Sequence, residues 1–270
     1  MVETHREIVL GRRLRETVLE GLRLVEAVHE PGLVMPAHAH DSANLTLVFA
    51  GEFDERLGAA GVRARPASLV VKPRGTVHAN RYGGRPTRSF LIEVERGRER
   101  ELGLSAAGPG RWCHGGRAVA AFVEVYRAFR GQAADLERTA LSAAREIVAR
   151  SPADGAGEPV GPRPTSALLR ATELLRASLA TPPSSAELAA RVGVHPVYLA
   201  RLFRRRHGCG IAGFRRRLQV QDAARRLAES PQPLAEVALA SGFSDQSHLC
   251  RVFRDELGLP PGAFRSAVAR

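Results

Sequence analysis

The chain has 270 residues, 44% of them apolar and 25% charged, with 40 Lys+Arg against 28 Asp+Glu for a net charge of +12. That apolar content excludes a disordered polycation, and the length suits about two domains. No apolar stretch approaches the roughly 18 residues of a membrane span. The opening MVETHREIVLGRRLRE carries charges where a signal peptide needs an apolar core. Cys113, Cys209 and Cys250 are too scattered for a disulfide framework or a CxxC zinc knuckle, so a cytosolic protein with no membrane partner is expected.

The charge is uneven. Residues 1–160 hold 23 basic and 20 acidic residues, whereas residues 161–270 hold 17 and 8. Lys72 is the single lysine, so nearly all of the positive charge is arginine.

In residues 1–114, short strands alternate with Gly and Pro. Leu45, Leu47 and Phe49 share one face of a strand, and Phe90, Ile92 and Val94 share one face of another, the period of two that predicts a small β-sandwich or barrel. Between and beyond these strands stand two spaced sets of residues. Gly32, His38, His40, Asn44 and Gly51 form the frame G-x5-H-x-H-x3-N-x6-G, and Pro73, Gly75 and His78 form P-x-G-x2-H. On one extended strand, positions 38, 40 and 44 have the same parity, which would aim them together toward His78.

These two sets resemble the motifs of the cupin barrel. In that family two His and a Glu from the first motif and one His from the second hold a divalent metal. Asn44 stands where the family has Glu, so the offsetting carboxylate is missing. The resemblance implies a transition metal (Zn, Fe, Ni or Cu) on His38, His40 and His78, or a small-molecule effector pocket lined by these histidines and Asn44, beside the plain reading of a purely structural role. No cofactor is required by the second reading. Cys113 and His114 would supplement such a site.

Residues 115–150 switch to a helical period. Val119, Phe122, Val123, Tyr126 and Phe129 form one stripe, and Leu136, Ala140, Ala143 and Ile147 a narrower one, predicting a hairpin turned near Gly131. The narrow stripe has two readings. It covers the barrel, or it meets its copy in a second subunit as a dimerisation seam. Residues 151–164, SPADGAGEPVGPRP, are half Gly and Pro and read as a linker.

Residues 165–270 contain a repeat. ELAARVGVHPVYLARLFRRRHG (187–208) aligns with EVALASGFSDQSHLCRVFRDELG (236–258), matching Leu199, Arg201, Phe203 and Gly208 with Leu249, Arg251, Phe253 and Gly258. Each copy has the form of a helix-turn-helix: a short helix, a Gly turn, a longer helix and a Gly stop. Ser184 and Glu187 suit a capping box, and Pro196 suits a first helical turn. In the longer helices Val197, Ala200, Arg201 and Arg204 face outward, as do Ser247, Cys250, Arg251 and Arg254. Three successive arginines span about 200° of arc, so Arg204–Arg206 and Arg215–Arg217 cannot all face one surface. Arg201 and Arg251 recur at equivalent outward positions and suit bidentate contact to guanine.

This region resembles the DNA-binding domain of AraC/XylS-type transcriptional regulators, through Glu236-Val237-Ala238, the run Ser241 to Ser247, Arg251 to Arg254, Gly258, Pro261 and Phe264-Arg265. The resemblance implies two helix-turn-helix units joined by a long helix, Ile211 to Glu229. It places base contacts at Val197, Ala200, Arg201, Gln246, Ser247, Cys250 and Arg251. Phosphate contacts fall to Arg204, Arg205 and Arg254.

The expected fold is thus multidomain α+β: a cupin-like sensor barrel (1–114), a dimerising helical hairpin (115–150), a linker (151–164) and an all-α double helix-turn-helix (165–270). The expected function is transcriptional regulation, by resemblance activation, through promoter DNA. The implied partners are a small-molecule effector, a second copy of the chain and, for an activator, RNA polymerase. The alternative is a metal-dependent cupin enzyme fused to a DNA-binding domain; against it, no further acid/base constellation is visible in the barrel.

Overall fold

The computed structural model describes residues 3–5, 11–57, 60–104, 110–114, 116–150 and 165–268; the linker read at 151–164 lies outside them. Among the described residues eleven strands come first: β1 (Glu3–His5), β2 (Arg12–Leu19), β3 (Leu22–His29), β4 (Val34–His40), β5 (Ala43–Ala50), β6 (Phe53–Leu57), β7 (Ala60–Ala64), β8 (Ser68–Lys72), β9 (His78–Tyr82), β10 (Thr87–Val94) and β11 (Arg111–His114). Nine helices follow among the described residues: α1 (Arg117–Gly131), α2 (Leu136–Arg150), α3 (Ser166–Ala177), α4 (Ser185–Arg191), α5 (Pro196–His207), α6 (Ile211–Glu229), α7 (Leu234–Ala240), α8 (Gln246–Leu257) and α9 (Pro261–Val268).

The strands form two sheets, ordered β1-β4-β9-β6-β7 and β11-β8-β5-β10-β3-β2. They pack face to face. Met35, Phe53, Val62 and Tyr82 from the first sheet meet Val48, Val70 and Trp112 from the second. Alternation along each strand then sends Leu45, Leu47, Phe49, Phe90, Ile92 and Val94 to the outer face of the six-stranded sheet, as their period of two predicted.

That outer apolar face cannot stay in water, and the hairpin of α1 and α2 covers it. Phe122, Tyr126 and Phe129 pack against Phe90, with ring centroids 5.5, 5.0 and 5.0 Å away. Leu136, Ala140, Ala143 and Ile147 are buried in the same core. This corrects the expectation of a dimer seam at these four residues. Two heptads of spacing were compatible with either partner, and the stripe is consumed by the chain's own α1 and sheet.

The same core continues into the C-terminal half. Val220, Ala223, Ala224 and Leu227 of α6, together with Val237, Leu249, Phe253, Phe264 and Val268, belong to the apolar cluster that contains the sheet and the hairpin. The first helix-turn-helix unit has its own core, built from Leu168, Leu175, Leu188, Leu199 and Phe203 with Ile211, Phe214 and Leu218. α6 is therefore shared, its first half serving one core and its second half the other.

Polar contacts close the junction. The backbone N–H of Gly116, ahead of α1, donates to the carbonyl of Glu256 in the last turn of α8, and the Arg88 guanidinium donates to the Val268 carbonyl. Gly258 ends α8 in the left-handed region, at φ 80°. A Cβ there would sit 3.0 Å from the Ala120 Cβ and 3.2 Å from the Gly116 carbonyl oxygen. Gly208, its counterpart in the first repeat, has φ 68° and open space around it.

Replacing either glycine with Ala imposes a left-handed conformation on an L side chain, costing about 1 kcal/mol. Only at 258 does it also press a methyl into α1, adding about 1 to 2 kcal/mol. Urea unfolding followed by circular dichroism is expected to show Gly258→Ala losing at least twice the stability lost by Gly208→Ala; equal losses would contradict the tight junction.

Candidate nucleic-acid interface and histidine cluster

Each helix-turn-helix unit places its second helix by local capping. Ser184 and Glu187 form a complete capping box at the start of α4. His195 caps α5, its Nδ1 accepting from the Val197 N–H at 3.3 Å, with Pro196 in the first turn. Asp245 caps α8 by accepting from the His248 N–H at 2.8 Å, a bond that holds the Asp245 carboxyl below its ordinary pKa.

Inner faces are apolar: Leu199 and Phe203 of α5, and Leu249, Val252 and Phe253 of α8, are buried. Outward, Val197, Arg201, Arg204 and Arg205 are exposed and Ala200 is half-buried. On α8, Gln246, Ser247, Arg251 and Arg254 are exposed and Cys250 is half-buried. In each arginine triplet one member or more is drawn inward: Arg206, Arg215 and Arg217 are half-buried, while Arg216 is exposed and lies 3.8 Å from Glu256. The turn of the second unit is tied to the long helix by Gln219, whose amide donates to the Gly242 carbonyl at 2.6 Å. A Cβ on Gly242 would overlap the Leu179 carbonyl oxygen at 1.9 Å, so only glycine lets the second unit's turn approach the segment after α3.

The second constellation lies between the two sheets. His38 and His40 on β4 and His78 on β9 are buried, with one ring nitrogen of each within 4.8 Å of the others. His38 Nδ1 bonds the Pro36 carbonyl at 2.7 Å, and His78 Nδ1 bonds the Thr76 carbonyl at 3.0 Å. A carbonyl only accepts, so each Nδ1 carries the proton and each Nε2 carries a lone pair. That is the tautomer and the outer support that a metal-binding imidazole needs, and in this respect His38 and His78 fit a divalent transition metal, with His40 placed beside them. His78 is held far below its ordinary pKa, first by burial and then by the nearby Lys72 ammonium, which keeps it neutral.

Asn44 is not on the histidines' strand. Asp41 and Ser42 turn the chain from β4 in one sheet to β5 in the other, so the parity argument that put residues 38, 40 and 44 on one strand is corrected. Asn44 still faces the interior, from the opposite wall. It shares parity with Val48, takes a hydrogen bond from Thr46 Oγ1 at 3.4 Å, and lies in register with Lys72 on β8.

Sequence reading missed the partner of that lysine. Lys72 Nζ donates to Glu55 Oε1 at 2.8 Å, and Asn80 Nδ2 donates to the same oxygen at 3.2 Å, all three residues being buried. Glu55 Oε2 is buried without a hydrogen-bond partner among the described residues. One signal was available: Glu55 alternates with Phe53 on the inward side of its strand, and the chain's single lysine closes an apolar strand. The pair makes this end of the interior locally neutral, with Lys72 occupying part of the positive potential that a metal ion would otherwise supply. Side chains of Cys113 and His114 lie outside the described residues.

Comparison with known proteins bears on the C-terminal region. Residues 188–267 match the family model described as a helix-turn-helix domain. The HTH-type transcriptional regulator GlxA of Rhizobium meliloti is 33% identical over 99 residues, covering 37% of this chain and 31% of that protein. The regulatory protein PocR of Salmonella typhimurium is 29% identical over 109 residues, covering 40% and 36%. The chain thus spans about a third of the length of these curated relatives. A crystal structure of a transcriptional regulator with an AraC-type DNA-binding domain, from Chromobacterium violaceum, is 27% identical with a TM-score of 0.38, covering 38% of this chain and 93% of that one.

The interior also contains a pH-sensitive group. His29, stacked on Tyr82 with centroids 4.4 Å apart, is lowered from 6.5 to about 4, chiefly by burial and secondarily by Lys72, against a backbone bond to Thr87 that raises it. The unfolded chain therefore binds a proton between pH 6.5 and 4 that the folded chain refuses. Stability contributed by the neutral imidazole is complete above pH 6.5 and is lost as pH falls toward 4, by about 3 kcal/mol in total. Chemical denaturation at pH 7 and pH 4.5 is expected to show a smaller acid loss for His29→Gln than for the natural chain; identical losses would place the acid-labile group elsewhere.

Proposed function

We propose, for a chain whose residues 188–267 match a helix-turn-helix domain model, that the protein is an AraC-type, sequence-specific DNA-binding transcriptional regulator whose N-terminal β domain holds an effector. By resemblance it acts as an activator at promoter DNA, engaging RNA polymerase, and as a homodimer. The hairpin stripe is not the dimer contact, because it is already buried.

One observation carries the DNA-reading proposal. Two copies of the same unit present Arg201 and Arg251 at equivalent exposed positions, on helices whose opposite faces are locked into cores. Base reading is assigned to Arg201 and Arg251, with Gln246 and Ser247 as further polar contacts. Val197, Ala200 and Cys250 offer small or apolar contact suited to a thymine methyl. Arg204, Arg205 and Arg254 are assigned to phosphates, which position the helices without specifying sequence. The net charge favours approach to any duplex, and selectivity rests on the few outward side chains.

For the sensor, the histidine cluster supports a transition-metal or metal-assisted effector site on His38, His40 and His78, with Asn44 on the facing wall. A bound metal would act here as a charge and a coordination point, changing which arrangement of sensor and reader is favoured through its differential affinity for them.

Two measurements test these assignments. Against a duplex selected from a random library, Arg251→Ala is expected to weaken binding by about 1 to 3 kcal/mol and to relax preference at one base pair, whereas Arg254→Ala weakens selected and scrambled duplexes alike and lowers the salt slope by about one. Equal loss on both duplexes for Arg251→Ala would remove it from base reading. In equilibrium dialysis against Ni(II), the natural chain is expected to retain about one ion and His78→Ala far less; indistinguishable retention by the two would end the metal reading.

A further inference from the structure

On the opposite side of the six-stranded sheet from the histidines, a cavity of about 540 Å³ opens where edge strand β2, strands β3 and β10 and the end of α1 come together. Its walls carry four guanidinium groups, Arg12, Arg15, Arg88 and Arg130, against two carboxylates, Glu26 and Glu30. From this junction we infer that the protein has a second ligand site, distinct from the histidine cluster, that takes a small polyvalent oxyanion such as a polycarboxylate or a phosphate.

Charge is the first argument. Arg88 and Glu26 are buried at the floor of the cavity. Glu26 lies 3.8 Å from Arg88 Nη1 and 3.7 Å from Arg130 Nη1, longer than the ~2.7 to 2.9 Å of a charge-assisted hydrogen bond. It offsets part of their charge; its own Oε1 is taken by the Tyr126 hydroxyl, which donates at 2.7 Å, and Arg130 Nη1 donates to that hydroxyl at 3.3 Å. Among the described residues, four cations stand around two anions, an excess of positive charge in a partly enclosed place, where an oxyanion with two or more charges is the matching guest.

Preorganisation is the second. Arg15 lies over the Phe129 ring at 5.9 Å, Arg88 over Phe49 at 5.5 Å and Arg130 over Tyr126 at 5.9 Å. Arg15 also donates to the Arg130 carbonyl at 2.8 Å, capping the last turn of α1. Three of the four guanidinium groups are thus held in place before any ligand arrives, which lowers the entropic cost of binding. Planar forks suit carboxylate and phosphate oxygens better than a halide.

Position gives the site a consequence. Arg88 donates to the carbonyl of Val268, at the end of the last described helix of the DNA-binding half. An oxyanion on the floor of the cavity competes with that carbonyl for the same guanidinium. Binding therefore loosens α9, which packs on both α6 and α1, and so couples the sensor edge to the reader.

The inference is independent of DNA reading and is tested without DNA. Citrate and inorganic phosphate are titrated separately into the full chain by calorimetry, with sodium chloride at matched ionic strength as control. Saturable binding of at least one of them is expected, the tighter one naming the class. Arg12→Ala/Arg15→Ala, a change confined to exposed side chains, should weaken it tenfold or more, and Arg205→Ala on the DNA-binding half should not. Hydrogen exchange in residues 261–268 should rise on binding. The site is overturned if neither anion binds more than chloride does, or if Arg205→Ala weakens binding as much as the double variant; unchanged exchange in residues 261–268 on binding would overturn the coupling to α9.

Discussion

Everything else in this molecule depends on how the outer face of the six-stranded sheet is kept out of water. Leu45, Leu47, Phe49, Phe90, Ile92 and Val94 present a broad apolar surface, and each such side chain contributes about 1.5 to 3 kcal/mol when fully buried. The hairpin and the second helix-turn-helix unit cover it, so β domain, hairpin and that unit share a single apolar cluster. The first reading unit has a separate core and meets the shared one along α6, whose Ile211, Phe214 and Leu218 serve one and whose Val220 to Leu227 serve the other. A change in sheet packing therefore reaches the second unit through direct contact and the first unit through a helix.

This arrangement makes two corresponding repeats physically unequal. Gly208 and Gly258 end corresponding helices in the same left-handed conformation, yet one faces open space and the other is pressed on α1. The outward faces remain exposed in both units, so packing on the β domain leaves Arg201 and Arg251 accessible. Shared turn, capping and core residues thus specify corresponding outward helices, while the surroundings give the second unit a firmer attachment to the β domain.

Inside the sandwich, polarity is organised by partnership. His38 and His78 have their Nδ1 protons committed to backbone carbonyls, which turns Nε2 toward the cluster. Lys72 is buried against Glu55, which meets it from the facing sheet and also takes a hydrogen bond from Asn80, and the lysine's charge in turn helps keep His78 neutral. Such a buried pair adds little net stability when compared with apolar packing, but removal of either partner would strand a charge.

Much of this was legible in the residues themselves. Strand alternation, the helix stripes, the capping box at Ser184 and Glu187, the span of α6 and the duplicated reading helices follow from backbone periodicity and capping chemistry, which act over a few residues and so are written locally. What faces a stripe is not local. Leu136, Ala140, Ala143 and Ile147 have the same spacing whether they meet a second chain or their own hairpin, and only the folded chain showed that α1 and the sheet consume them. Asn44 likewise had the right parity for the histidine strand, but a two-residue turn moved it to the opposite wall. The pairing of Lys72 with Glu55 joins residues 17 positions apart on different sheets, and that of Arg88 with Val268 joins residues 180 apart. The sequence alone determined which helices and strands form and which faces they offer; tertiary packing decided which faces meet, because a buried surface accepts any complementary partner and the nearest one in space is set by the whole chain.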